Sequence, residues 1–164
     1  MKKVIILFLL ISTILGQAVY AAPTEKPVNK QLIQNILNTA YEHLTICEHE
    51  YKAISEKFNK EKPFNKLLRR QEPYMDMLMQ LYKEYGLNAP NVNTSIRIPN
   101  TLDEFYQNSL AKEKNLIESY RGFLKEEMPQ EVRSAIHRLI ELSGNNARVY
   151  KFILEAKKKG SKAS

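Results

Sequence analysis

From residue 33 onward, apolar side chains recur in steps of three and four, the period of helices that bury one face. The first stripe is Ile33, Ile36/Leu37, Ala40, Leu44, Cys47, Tyr51, Ile54 and Phe58, and the second is Phe64, Leu67/Leu68, Met75, Leu78, Leu81/Tyr82 and Tyr85. The third is Leu102, Phe105/Tyr106, Ser109, Leu110, Leu116/Ile117, Tyr120 and Phe123/Leu124, and the fourth is Val132, Ala135/Ile136, Leu139, Ser143, Asn146, Tyr150 and Ile153. No stretch alternates with period two, and the chain holds only five glycines. The pattern predicts an all-α protein with helices at about 29–59, 63–86, 101–126 and 129–157.

Three of the four stripes carry polar interruptions near the middle. Gln71 and Tyr74 fall among the apolar residues of the second, Glu113 among those of the third, and Ser143 and Asn146 belong to the fourth. An unpaired buried polar group costs ~1 to 3 kcal/mol, so these residues must partner one another. Four helices side by side would bring Gln71, Tyr74, Glu113, Ser143 and Asn146 to one layer, with Leu44 of the first stripe as the remaining wall. Glu113 would then be held by Gln71, Tyr74 or Asn146, since amides and phenols can donate to a carboxyl group.

Two prolines bear on the second helix. Pro63 suits a first turn, where its missing N–H removes nothing. Pro73, some ten residues on, deletes a backbone hydrogen bond and crowds the carbonyl of Arg69, which predicts a kink or a break there. Between the second and third helices lies the one long unperiodic segment, residues 88–100, with two prolines and four asparagines. At ~3.3 Å per residue it could span ~40 Å, the height of a helical bundle. A four-helix bundle with one long crossover between helices 2 and 3 has the ferritin-like topology.

The residues also carry a resemblance. Phe64, Leu67 and the closing Tyr85-Gly86-Leu87 resemble the second helix of a ferritin-like, rubrerythrin-related family of prokaryotic proteins of unknown function, whose pattern is F-x-x-I-x-x-x-E-x-x-H before Y-G-[LI]. Glu113 and Tyr120 match a further E-x(6)-Y, and Leu139 and Ser143 match L-x-x-x-S-x-x-H. The resemblance implies a dinuclear metal site, yet the ligand positions are substituted: Gln71 and Tyr74 stand for Glu and His, Asn146 for His, and Leu44 for Glu in the register that aligns Tyr51. A rival register would use Glu50. Glu113 is the one ligand-type carboxylate retained.

Residues 1–21 read as a targeting segment, with Lys2 and Lys3, an apolar run from Val4 to Leu15, and small residues ending at Ala21. The run is shorter than the ~20 residues a membrane span needs, so no stable anchor is expected after cleavage. Residues 22–28 form a linker, 29–157 one bundle and 158–164 a basic flexible tail. The expected location is periplasmic or extracellular. The formal charge of +7 loses two lysines with the leader, and Lys157, Lys158, Lys159 and Lys162 supply most of the remainder. No basic stripe is interleaved with aromatics, which excludes a nucleic-acid stacking surface.

Outside the polar layer, the candidates for chemistry read as solvated. Glu48, His49 and Glu50 are consecutive, and side chains that fan out by ~100° per residue cannot converge on one ion. His43 lies off the first stripe and His137 and Glu141 lie beside the fourth, all as surface residues. Cys47, the only cysteine, reads as a small buried hydrophobe. Two functions follow. In the first, an exported bundle has exchanged its metal site for a hydrogen-bonded polar core, has no cofactor, and acts as a binding or interaction protein toward an unknown protein partner. In the second, it remains a metal-dependent redox or iron-handling protein using iron or manganese, with ligands from Glu113, Glu48 or Glu50 and a histidine placed elsewhere than the stripes put it.

Overall fold

A computed structural model describes residues 29–162. The leader and linker expected over residues 1–28 lie outside the described residues. Those described form four helices and no strand: α1 (Lys30–Phe58), α2 (Phe64–Tyr85), α3 (Leu102–Phe123) and α4 (Gln130–Lys162).

The helix ends follow local chemistry. Asn29 caps α1 by accepting from Leu32 N, and Thr101 caps α3 by accepting from Glu104 N, with Asp103 and Glu104 in the acidic first turn. Gly86 ends α2 in the left-handed conformation (φ 59°), which a glycine adopts without steric cost. Pro73 does not break α2, which runs through it unbroken. Both Pro73 and Arg69 lie on the exposed face, where the carbonyl deprived of its N–H partner can turn to water. The fourth helix also overruns the expected end at 157: it continues to Lys162, taking in most of the tail read as flexible. Lys157 there pairs with Asp103 at the start of α3.

α1 packs on α2 and α3, and α4 packs on α3 and α2. Lys57, in the last turn of α1, donates to Pro99 O (2.8 Å), just before α3, and Tyr85 at the end of α2 donates to Glu131 in the first turn of α4. The interior divides into two clusters. One contains Ile33, Ile36, Leu37, Ala40 and Leu44 with the later part of α2, the earlier part of α4 and Tyr120. The other is aromatic: Tyr51, Phe64, Phe105, Tyr106 and Tyr150, with Cys47, Ile54 and Leu67. Its rings meet largely edge to face at 5.6 to 6.3 Å, the arrangement their quadrupoles favour. Between the clusters, along each of α2, α3 and α4, lie the polar interruptions, all buried: Gln71, Glu113, Ser143 and Asn146.

Candidate functional site

Glu113 is the centre of this layer. It is 1% exposed, and the stripe of α3 that buries Tyr106 and Tyr120 necessarily buries it too. Asn146, one turn after Ser143 on α4, donates from Nδ2 to Glu113 Oε1 at 3.0 Å. Asn146 Oδ1 in turn accepts from the half-buried Arg70 of α2 at 3.4 Å. The carboxyl group is therefore held on one side by a neutral amide, itself oriented by a cation.

The other oxygen faces α1. Glu113 Oε2 accepts no hydrogen bond, although His43 Nε2 lies 3.5 Å away. At that distance the two attract as charges without forming a hydrogen bond. The same Nε2 lies 3.5 Å from Cys47 Sγ, one turn further along α1. Ligand-type atoms of His43, Cys47 and Glu113 all fall within 4.8 Å of one another. Burial by itself would depress the His43 imidazole, but the Cys47 thiol group and the Glu113 carboxylate outweigh it and hold the ring up at about 10. Beneath this group Tyr51 and Tyr150 join through a 2.6 Å phenol–phenol hydrogen bond, and burial pushes both phenols well above their ordinary range.

These contacts revise several expectations. His43 is not a solvated surface residue: its side chain is 16% exposed and turned toward Glu113. It lies at the edge of an apolar face that meets both α2 and α3, so the buried arc of α1 is wider than a single stripe. Cys47 is buried as expected, yet it contacts His43 and not only apolar neighbours. Gln71 does not reach Glu113; its Nε2 donates to the backbone carbonyl of Leu44 at 3.2 Å. Tyr74 leaves the layer altogether, half-buried against the first cluster with the Arg138 guanidinium 5.7 Å above its ring. The carboxyl group thus takes its hydrogen bond from Asn146, not from Gln71 or Tyr74.

The alternative acidic ligands stand apart from the cluster. Glu48 pairs with Lys52 and Glu50 with Lys112, while His49, His137 and Glu141 are exposed. Glu50 lines a groove of about 520 Å³ that runs between α1, α3 and the segment carrying Asn93, Arg97 and Pro99. Sequence reasoning missed His43 and Arg70. The spacing of His43 and Cys47, four residues apart in a helix, was the signal that could have found the first.

Among the described residues, fold and site together define an all-α arrangement of four helices with a buried polar layer across its middle. Comparison with family models, with curated proteins and with solved structures returns no match.

Proposed function

We propose that this is an exported binding protein: a ferritin-like bundle in which a polar centre around Glu113 replaces the dinuclear metal layer. The observation that carries the reading is that, among the described residues, Glu113 is the only buried carboxylate, hydrogen-bonded to Asn146, while Gln71 is spent on the Leu44 carbonyl. A di-iron bundle of this class draws a glutamate from each of two helices and Glu-x-x-His from each of the other two. One carboxylate and one imidazole cannot neutralise and coordinate two such ions.

The end contacts support the ferritin-like connection. Lys57 to Pro99 draws the end of α1 to the start of α3, and Tyr85 to Glu131 draws the end of α2 to the start of α4. With Lys157 on Asp103, these pairs favour a chain that crosses the bundle between α2 and α3, leaving those two helices parallel.

The test is metal analysis and ferrous-iron oxidation on the full chain, purified from the exporting cell without chelators. Expected are far fewer than two irons per chain and no oxygen consumption driven by ferrous iron. Two irons per chain, or turnover with ferrous iron, would overturn the reading. Export is checked by the amino terminus of the purified protein, which should begin at Ala22.

A further inference from the structure

We infer that His43, Cys47 and Glu113 form a mononuclear site for a thiolate-tolerant divalent metal ion, of which zinc is the type. The inference rests on the binding-protein reading above and gives its polar centre a ligand class.

The geometry begins with helix spacing. Residues four apart leave a helix on the same face, so His43 and Cys47 present an imidazole nitrogen and a sulfur on successive turns of α1. α3 brings the carboxyl group of Glu113 opposite them. In a tetrahedral zinc site, with Zn–S about 2.3 Å, Zn–N about 2.0 Å and Zn–O about 2.1 Å, neighbouring donors stand about 3.4 to 3.6 Å apart. Here the nitrogen-to-sulfur and nitrogen-to-oxygen separations are both 3.5 Å. Two of the three edges between protein ligands therefore have coordination length with no side chain moved.

An independent observation points to a ligand in the same place. Glu113 Oε2 is buried, accepts no hydrogen bond, and faces the imidazole nitrogen. Beside the imidazole alone this oxygen has an ionic neighbour but no hydrogen bond, a costly state that a bound metal ion would relieve. Asn146 supplies the outer support that metal sites use to orient a ligating carboxylate, binding Oε1 so that Oε2 stays turned to α1. On binding, the Cys47 thiol and the His43 imidazolium each release a proton to solvent, and a doubly charged ion with one thiolate and one carboxylate is then locally neutral, as a buried site requires.

Donor chemistry selects the metal. A thiolate, an imidazole and a single carboxylate suit zinc, whereas magnesium, calcium and manganese prefer oxygen donors. Three protein ligands leave one tetrahedral position for water or for a group brought by whatever the protein binds.

The experiment uses the full chain, kept reduced and freed of metal, titrated with zinc against a chromophoric chelator, with cobalt(II) as a spectroscopic probe. Expected are one zinc per chain and, with cobalt, a thiolate-to-metal charge-transfer band. Cys47→Ser should abolish that band, and Cys47→Ser and His43→Gln should each weaken zinc binding by more than about a hundredfold, beyond the loss typical of an outer-shell change. His49→Gln and His137→Gln, both exposed, should bind like the parent. Circular dichroism verifies folding of each variant; should Cys47→Ser fail to fold, the parent's cobalt spectrum decides alone. A folded parent that takes up no zinc, shows no charge-transfer band, or binds zinc with an affinity indifferent to His43→Gln overturns the inference while leaving the binding-protein reading intact. Two irons per chain would instead overturn that reading.

Discussion

Leu44→Glu probes the polar layer from its apolar side. Leu44 is 2% exposed in the first cluster, and it holds the position where the resemblance implies a ligand glutamate. Removing a buried leucine side chain forfeits roughly 1.5 to 3 kcal/mol of burial. The new carboxylate must then be neutralised or hydrated. A glutamate in apolar surroundings can reach a pKa of about 8 to 9 against about 4.3 in the unfolded chain. At pH 7 the cost of keeping it protonated is therefore about 2.7 units at 1.36 kcal/mol each, close to 3.7 kcal/mol. The folded-state pKa is the raised one, so the folded variant binds the extra proton. Its stability is fullest below about pH 4.3 and falls as pH rises from there toward 8. Urea unfolding should thus show a loss of about 5 to 7 kcal/mol at pH 7, shrinking to about 2 to 3 kcal/mol at pH 4 once the parent's own pH dependence is subtracted. Leu44→Gln, which cannot ionise, should show a loss that does not change between the two. Equal losses for Leu44→Glu at both pH values, or a melting temperature within a degree or two of the parent, would refute the placement of Leu44 in the core.

Three further outcomes can be checked. Tyr51→Phe or Tyr150→Phe leaves one buried phenol without its partner and should cost about 1 to 3 kcal/mol by urea unfolding, whereas the double variant should cost clearly less than the sum; additive losses would count against the phenol pair. Thr101→Ala removes the oxygen that accepts from Glu104 N and should cost about 1 kcal/mol, and no measurable change would show that α3 does not depend on this cap. The hydrogen bond from Tyr85 holds the Glu131 carboxyl below its ordinary pKa, so Tyr85→Phe should raise it in an NMR titration. Because that pKa is depressed, the contribution to stability is present above the unfolded value and is lost as pH falls, and parent and variant should converge in acid; an unmoved Glu131 titration refutes the contact.

The four helices were legible because burial on one face imposes a period that few other constraints disturb. Gln71, Glu113, Ser143 and Asn146 were legible for the same reason, as polar residues in apolar register. Which of them would touch was not. Gln71 and Tyr74 share a stripe, but residues three apart stand about 60° from each other around a helix, and one goes to a backbone carbonyl and the other beneath Arg138. His43 was lost for a related reason: a stripe marks the centre of a buried face and not its edges, and an imidazole at the edge reaches inward as easily as outward. Of the two outcomes Pro73 allowed, a kink or a break, the continuous α2 excludes the break, since whether the orphaned carbonyl meets solvent or core is a property of the packed helix.

The division of the interior by a polar layer also sets the vertical alignment of the helices. Apolar side chains are tolerant neighbours, and a helix with leucine and isoleucine on one face can slide by a turn, about 5.4 Å, and find comparable partners. Glu113, Asn146 and Arg70 come from α3, α4 and α2 and admit no such slippage, because displacing any of the three helices by a turn would strand a buried charge or amide against hydrocarbon. The layer works as a detent, a notch at which three sliding rods lock. Substituting it wholesale with well-fitting apolar residues could leave the protein more stable but free to choose among registers, the exchange seen where a single polar residue fixes the pairing of a coiled coil.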